Sequence, residues 1–223
     1  MRERMSRERV LEAALELLDR EGAAGLSMRR LGKELGVEAM TLYYYVPNKD
    51  AVLDGLVELV LSRVTVEPEG DWRGWMTAFA GSIRAELLRH PALMPVVAIR
   101  PVATPGALAM VERAAAALTE SGFTAKRALQ AINAVSTFVI GHTLAEAGPD
   151  SPEHPDLDLA ECPVLAQAVA DGLGTPEDHR ERFELAVEAL LSGLAPRTPA
   201  AGNPARTRTG HRSSGRRPPP PAG

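Results

Sequence analysis

The sequence predicts an all-α fold, with a small N-terminal head of three or four helices that includes a helix-turn-helix, followed by a larger helical domain. Three observations lead to this prediction. Aromatic residues make up only 4% of the chain, while alanine and leucine, which favour helices, are frequent. Apolar residues recur at three- and four-residue spacing, and the alternation typical of strands is nowhere sustained. A glycine turn joins two short helical segments near residue 36.

The first two helices are predicted from their caps and their apolar stripes. Ser6–Glu21 forms one helix, with Ser6 as its N-cap, and Ser27 caps a second helix over Met28–Leu35. Gly36 follows at the position where a helix ends most easily with a positive φ. The stripe of the first helix consists of Val10, Leu11, Ala14, Leu15, Leu17 and Leu18.

The next segment, Glu38–Val46, is predicted to be a third helix with an outward-facing polar and aromatic side. Leu42 and Val46 are four residues apart, which is enough to hold one face on the core. The remaining side chains would face outward: Ala39, Met40, Thr41, Tyr43, Tyr44 and Tyr45. Three consecutive tyrosines are hard to explain as core, and they suit a helix that offers hydroxyls and ring faces to nucleic acid.

The rest of the chain divides at short breaks. Asn48 caps a connecting helix over about 49–64, after the break at Pro47. The later predicted helices are Trp72–Arg89 with Asp71 as cap, broken segments over 92–105, Gly106–Ser121, Ala125–Ala147, and Thr175–Leu194. We therefore expect a DNA-binding head over 1–48, a second domain over 65–194, and a disordered tail rich in Arg and Pro over 195–223.

Charge is distributed unevenly around a net value of −4. Residues 1–49 hold nine basic and eight acidic side chains, residues 65–194 hold nine basic and eighteen acidic ones, and the tail holds six arginines and no acid. An acidic body with a near-neutral head fits a protein that touches DNA with its head alone. The tail either strengthens nonspecific DNA binding by counterion release or is an inert extension, and both readings stay open.

Several function classes find no support in the sequence. Cys162 is the only cysteine, so neither an intrachain disulfide nor a cysteine zinc site is possible. No run of 18 apolar residues predicts a membrane span, and the charged N-terminus argues for the cytosol rather than secretion. No phosphate loop, HExxH or GxSxG motif supports catalysis, and we expect no cofactor. We expect no metal site either: the acidic loop at 150–158 is interpreted as solvated, and His90 and His142 as histidines with local hydrogen bonds.

Residues 6–64 resemble the DNA-binding domain of TetR-family transcriptional regulators. The matching stretch is RVLEAALELLDREGAAGLSMRRLGKELGVEAMTLYYYVPNKDAVLDGLV, and its run L-G-V-E-x-x-T-L-Y-x-x-V-x-N-K is especially similar to the tetracycline repressor branch. A weaker resemblance to the regulatory domain of that branch runs through LLRHPALMPVVAIRP and ESGFTAKRALQAINAVSTFVIG.

The resemblance implies an all-helical homodimer whose heads sit in successive major grooves of a pseudo-palindromic double-stranded DNA operator. It also implies a small-molecule pocket, a dimer interface built from the last two long helices, and a ligand that lowers operator affinity. Among the DNA-binding positions it implies, Arg29 and Thr41 reach DNA from the two helices of the motif. It implies that phosphates are contacted, or the groove framed, by Tyr43, Tyr44 and Lys49, and that the main base-reading positions hold Ala39 and Met40.

Two departures from that branch change the expected specificity. Ala39 replaces a polar base-reading side chain, so sequence reading would depend on Arg29, Thr41, Tyr45 and DNA shape. The branch binds its drug as a magnesium complex, using a histidine just before the Arg-Pro pair, where this chain has Val96 and Val97 before Arg100; a second pocket histidine of the branch corresponds to Thr137. Valine offers a hard cation no ligand atom, so we do not expect magnesium-tetracycline as the effector.

The expected pocket is mostly apolar and suits an aromatic or polyketide-like effector with a few oxygens. Its apolar candidates are Trp75, Met76, Phe79, Ile83, Met94, Val97, Met110 and Phe138, and its polar candidates are Arg100, Asn133 and Thr137. The same apolar side chains can also be read simply as core. Two other functions remain open: a DNA-binding module without small-molecule switching, and a ligand-modifying enzyme with an accessory helix-turn-helix.

Overall fold

The computed structural model describes residues 4–100, 104–148 and 159–196, and these residues contain helices and no strand. The helices are α1 (Arg7–Gly25), α2 (Met28–Leu35), α3 (Ala39–Leu42), α4 (Lys49–Ser62), α5 (Trp72–Arg89), a 3-10 turn (Pro91–Leu93), α6 (Met94–Ile99), α7 (Pro105–Glu120), α8 (Ala125–Glu146), α9 (Pro163–Ala170) and α10 (Pro176–Leu194). We call α1–α3 the head and α5–α10 the body. The all-α prediction is confirmed; the predicted loop at 150–158 and most of the predicted tail lie outside the described residues.

The predicted caps of the head are confirmed. The Ser6 hydroxyl accepts from the Arg9 backbone N–H, and the Ser27 hydroxyl accepts from the Arg30 N–H. Gly36 ends α2 in the left-handed region with φ 68°, as its position predicts. The first helix extends beyond its predicted end at residue 21, to Gly25, but Gly22 interrupts it with φ 71°.

The prediction of a helix over Glu38–Val46 is wrong in its length. Helical structure covers only Ala39–Leu42, and the chain continues as a turn in which the Leu42 carbonyl accepts from the Tyr45 and Val46 N–H groups at 2.9 Å each. Pro47 lies directly after this turn and has no N–H with which to extend a helical ladder. The two predicted anchors are nevertheless buried, Leu42 at 0% and Val46 at 1% exposure.

One hydrophobic core runs from the head into the body, and α4 connects the two parts. Helix α4 packs against α1 on one side and against α5, α6 and α7 on the other. Leu56 and Val60 of α4 are buried within this shared core, as its nearly all-round apolar pattern predicts. Helix α8 forms the centre of the body, in contact with α5, α6, α7 and α10.

The body follows its predicted boundaries closely, except for α9. Asp71 caps α5, Thr124 caps α8 and Thr175 caps α10, each through a side-chain oxygen. Helix α9, which sequence analysis missed, contains no buried residue. It is eight residues long and exposes Val164 at 83%, so its apolar side chains pack on no core formed by residues 4–100, 104–148 and 159–196.

Among the described residues, one helix is long and apolar enough to cross a membrane on length and composition alone. This helix is α8, which has a mean hydropathy of 1.2 over its most apolar window. Helix α8 packs against four other helices, and 33% of this window is buried inside the chain.

Gly32 allows the close approach of α2 and α3. A Cβ at this position would lie 2.8 Å from the Val37 carbonyl oxygen and 3.1 Å from the Ala39 nitrogen. We expect Gly32→Ala to lower the free energy of unfolding by about 1–3 kcal/mol, because backbone atoms cannot yield as a flexible side chain can. Urea unfolding followed by circular dichroism measures this change.

Gly81 provides the matched control. It lies within α5, and a Cβ there would meet nothing within 4 Å, so Gly81→Ala is expected to raise stability by up to about 1 kcal/mol. Equal effects of the two substitutions would contradict the tight packing of α2 against α3.

Candidate nucleic-acid interface and ligand cavity

The outer face of the helix-turn-helix presents large side chains to solvent. Met40 is 72% exposed, Tyr44 89% and Tyr43 44%, while Ala39 and Thr41 beside them are half-buried. Such exposure of apolar and aromatic groups is unusual for a free surface and typical of a contact surface. The predicted base-reading side chains lie on α3, and the predicted phosphate-contacting tyrosines follow directly after its end, exposed to solvent.

Tyr45 is an exception to the predicted outward face. Its side chain is half-buried and packs against the hydrophobic core. The helix ends at Leu42, and the following turn directs Tyr45 to the same side as Val46. Tyr45 therefore supports the turn, and sequence reading by its ring is not favoured by this geometry.

Two basic side chains frame this face. Arg29 is exposed on α2 and makes no ion pair with any described residue, whereas its neighbour Arg30 is paired with Glu21. The ammonium group of Lys49 donates to the Ala23 carbonyl oxygen at 3.4 Å and stays exposed. This bond ties the first residue of α4 to the last residues of α1, just after the break at Gly22, so the position of α4 and the position of the head are linked.

A cavity lies inside the body, closed on one side by the last turn of α4 and by the connection from α4 to α5. The space open to the centre of a water molecule is about 130 Å³. The lining residues are Leu61, Val64, Val66, Glu67, Pro68, Trp75, Phe79, Ile83, Val97, Ala107, Met110, Val111, Arg113, Ala114, Ile132, Ser136 and Ile140. Five predicted pocket residues are among them: Trp75, Phe79, Ile83, Val97 and Met110.

Three predicted pocket residues on α8 lie elsewhere. Asn133 and Thr137 are exposed, and the Thr137 hydroxyl donates to the Asn133 amide oxygen at 3.0 Å. Phe138 instead stacks on Phe183 of α10, with ring centroids 5.8 Å apart. Successive residues of a helix point about 100° apart, so the side of α8 that faces the cavity is the one that holds Ser136.

The remaining three predicted pocket residues are also placed outside the cavity. Met76 and Met94 are fully buried at 0% exposure. They therefore belong to the core, which was the alternative to a place in the pocket lining. Arg100 pairs with two carboxylates of α4, at 2.6 Å from Asp50 and 2.6 Å from Asp54. These hydrogen bonds raise the pKa of Arg100 above its usual value, so the guanidinium is a permanent cation.

The polar groups that do line the cavity are Glu67, Arg113 and Ser136. Sequence analysis missed all three. Ser136 had a usable signal, because it lies four residues from both Ile132 and Ile140 and so shares their helix face. Glu67 lies in the connection between α4 and α5, where no periodic pattern indicates which side chains face inward.

Arg100 connects the cavity wall to α4. It is the C-cap of α6, three residues after Val97, which lines the cavity. Its two carboxylate partners lie in the first two turns of α4, immediately after Lys49. A displacement of α6 by a molecule in the cavity would therefore pull directly on the end of α4 nearest the head.

A second group of contacts joins the head to the body near the other end of α4. His90 Nδ1 lies 2.7 Å from an Asp19 carboxylate oxygen of α1, and Arg63 Nη1 lies 3.4 Å from a Glu86 oxygen of α5. The local hydrogen bond predicted for His90 is therefore present. The His90–Asp19 contact joins body and head directly, next to the packing of α1 on the 3-10 turn, whereas the Arg63–Glu86 pair joins the end of α4 to α5.

Comparisons with known proteins agree with this arrangement. Residues 10–56 match the family model "Bacterial regulatory proteins, tetR family", and residues 66–198 match "Tetracyclin repressor-like, C-terminal domain". The chain is 37% identical to an "HTH-type transcriptional regulator" of Saccharopolyspora erythraea, over 86% of this chain and 85% of that protein. It is 35% identical to "Tetracycline repressor protein class D" of Escherichia coli, over 86% and 89% of the two chains.

A solved structure with the same fold contains a bound ligand. The structure of ActR from Streptomyces coelicolor "in complex with actinorhodin" is similar with a TM-score of 0.72 and 29% identity, over 86% of this chain and 97% of that one.

The Arg100–Asp54 pair can be tested by a double-mutant cycle. We expect Arg100→Ala and Asp54→Asn to be coupled by about 0.5–3 kcal/mol in the free energy of unfolding, because the two side chains share a network with Asp50. The exposed pair of Arg180 and Glu177 in α10 serves as control, with an expected coupling of about 0.2–0.5 kcal/mol. Equal coupling in the two cycles would show that Arg100 does not hold α6 to α4.

Proposed function

This chain belongs to the TetR family of bacterial transcriptional regulators, and we propose that it is a repressor that a mostly apolar small molecule releases from a palindromic operator. The observation that carries the proposal is the position of α4. Lys49, its first residue, donates a hydrogen bond to the head, and Leu61 in its last turn lines the cavity. One helix therefore touches both the DNA-binding part and the ligand-binding part of the molecule.

The proposed DNA contacts are those of the outward face of the head. Arg29, Tyr43, Tyr44 and Lys49 supply hydroxyl groups and positive charges for phosphates, and they fix the position of the head on the duplex. Met40 is the most exposed side chain at a base-reading position. Apolar contact with thymine methyl groups is the recognition chemistry open to Met40 and the adjacent Ala39, so we propose that thymines occupy these positions of the operator.

We propose that the active form is a homodimer built on α8 and α10. Leu144 of α8 and Leu185 of α10 are 43% and 69% exposed, which is typical of side chains that another chain covers. Two heads about 34 Å apart would enter successive major grooves on one side of the operator, so a small change in that distance would misalign them.

The proposed effector is a planar compound, largely apolar, with a few hydrogen-bonding groups. The lining is aliphatic and aromatic, and its hydroxyl, carboxylate and guanidinium groups come from Ser136, Glu67 and Arg113. The similarity to a regulator crystallised with actinorhodin supports an effector of polycyclic type. Val97 supplies only methyl groups to this cavity, whereas Glu67 and Ser136 supply oxygen atoms, so we propose an effector held by these polar groups rather than by a histidine-bound magnesium ion.

The size of the cavity supports a mechanism in which the effector moves its walls. A space of about 130 Å³ is smaller than the roughly 300–1,000 Å³ of typical ligand sites. A polycyclic ligand must therefore displace wall segments, and two of these segments are the last turn of α4 and α6, which Arg100 ties to α4. We propose that the displacement tilts α4 and changes the spacing of the two heads.

Two other functions predict different behaviour. A DNA-binding module without switching predicts that no compound changes operator affinity. A ligand-modifying enzyme predicts turnover of a bound compound, but the relatives described above are named as transcriptional regulators. We accordingly propose no enzymatic activity and, since its operator is chromosomal or plasmid DNA, a cytoplasmic location.

The DNA-binding proposal is tested by Tyr43→Ala and Lys49→Ala. Each is expected to weaken binding to the chain's own upstream DNA without changing the melting temperature greatly, because both side chains are exposed. Lys49→Ala should also lower the salt-dependence slope of the binding constant by about 1, the value expected for one lost phosphate contact. Fluorescence anisotropy at several salt concentrations measures both quantities.

Lys126→Ala is the control for these two variants. Lys126 is an equally exposed lysine at the start of α8, in the body. If all three variants bind like the wild type, the outward face of the head is not the DNA-binding surface.

The effector proposal is tested by filling the cavity. Met110 lines the cavity, so we expect Met110→Trp to bind the operator but to lose release by polycyclic aromatic compounds that release the wild type. Glu112→Trp, two residues further along α7 and exposed, should keep the wild-type response. Gel shifts with a compound panel measure release; equal release of both variants would mean that compounds act outside this cavity.

A further inference from the structure

A polar cluster on α8 and α10 belongs neither to the DNA-binding face nor to the cavity. Ligand atoms of His142, Glu146 and His179 all lie within 4.8 Å of one another. His142 and Glu146 are one helical turn apart on α8, and His179 lies in the first turn of α10. From this geometry we propose that the three side chains bind one divalent transition-metal ion of the zinc type, and that the ion joins α8 to α10.

The spacing of the donor atoms fits such an ion. His142 Nε2 and Glu146 Oε2 are 3.8 Å apart, too far for a hydrogen bond. Two ligands of a tetrahedral zinc ion, with bonds of about 2.0–2.1 Å, lie about 3.4 Å apart, so a small approach of the two side chains would bring both to bonding distance. Two imidazoles and one carboxylate are also a donor set that zinc uses in proteins, with a fourth position left for water or another ligand.

The carboxylate is already oriented by a neighbouring residue. Arg84 of α5 donates to both oxygens of Glu146, at 2.7 Å from Nε and 2.5 Å from Nη2. Metal-binding carboxylates are commonly held by such hydrogen bonds, which leave further lone pairs on each oxygen for the ion. Only 13% of the Glu146 side chain is exposed, so the carboxylate has little freedom to turn away.

Each imidazole has one polar contact in this structure that it would give up on binding a metal ion. His142 Nε2 lies 3.0 Å from the His179 carbonyl oxygen, and coordination through this nitrogen would replace that contact and place the ring proton of the neutral imidazole on Nδ1. The Arg182 guanidinium contacts His179 Nδ1 at 2.9 Å, but it also pairs with Asp178 at 2.9 Å. Arg182 can therefore leave the histidine without losing its carboxylate partner.

Aromatic rings shield one side of the cluster. The His142 ring centroid lies 5.5 Å from that of Phe138 and 5.3 Å from that of Phe183. A low-dielectric wall of this kind strengthens the attraction between a cation and its ligands. The ligands come from two helices that are distant in sequence, which is why no local spacing motif predicts the site and why sequence analysis expected none.

The binding test uses the full-length protein without a histidine tag. His154 and His211, which lie outside the described residues, are first replaced by asparagine so that they cannot bind the metal. Titration with Co²⁺ is expected to give the visible absorption of a tetrahedral site at one ion per chain. Zn²⁺ should displace the Co²⁺ and raise the melting temperature, because it binds the folded state.

Variants of the cluster identify the ligands. His142→Gln and His179→Gln should each abolish the Co²⁺ absorption, and Arg84→Gln should lower the affinity about 10- to 100-fold, as expected for a residue that orients a ligand. His90→Gln, which changes the remaining histidine at the contact between head and body, should bind Co²⁺ like the parent.

Two results would overturn the proposal. One is the absence of Co²⁺ absorption and of Zn²⁺ stabilisation in the parent protein. The other is unchanged binding in both His142→Gln and His179→Gln, with circular dichroism showing that these variants are folded. Neither result bears on DNA binding or on the effector cavity, since the cluster shares no residue with them.

Discussion

The structure depends on α4, because this helix belongs to the core of the head and to the core of the body. Leu56 and Val60 are buried between α1 and the helices of the body, so α4 cannot move without disturbing both. Polar bonds fix its start, through Lys49 to the head and through Arg100 to α6. Its last turn forms part of the cavity wall. A rigid helix that is packed into both cores can carry a shift from one end to the other, which is one physical means of coupling two distant sites.

The cavity sets a second constraint. Because its volume is small, a larger ligand can bind only if part of the cavity wall moves outward. That wall includes the connection from α4 to α5. This connection lacks regular secondary structure, so its displacement costs less than the displacement of a packed helix. The energy of burying an apolar ligand is thus available to move α4, and by reciprocity operator binding should weaken the binding of the ligand.

Most of the fold could be predicted from the sequence because helix ends have local causes. Ser6, Ser27 and Gly36 determine the ends of α1 and α2 through their own backbone and side-chain bonds. The short length of α3 could not be predicted from periodicity. A spacing of four residues would bury Leu42 and Val46 together in a helix, and the turn that the structure shows buries them together as well. Helix α9 was missed, and its apolar side chains, such as Val164, are exposed and form no part of the core of the described residues.

The candidate sites were less predictable than the fold, for a different physical reason. An apolar stripe indicates that a helix face is buried, but it does not indicate whether the face meets core or cavity; Met76 and Phe79 lie on one helix and differ in this respect. Arg100 was expected to contact a ligand, yet two carboxylates from a helix 46 and 50 residues earlier hold it. Such pairings depend on the three-dimensional arrangement of helices and leave no trace in local spacing.

The central claim, that the cavity and the heads are coupled through α4, is tested most directly by a distance measurement. Cys162 is the only cysteine, so a variant with Cys162→Ser and Ala24→Cys carries one spin label per head, at an exposed position near the end of α1. Pulsed dipolar spectroscopy of the dimer then reports the separation of the heads. A compound that releases the operator should change this distance in the parent and leave it unchanged when Met110→Trp fills the cavity. Release of the operator with an unchanged distance would contradict the account.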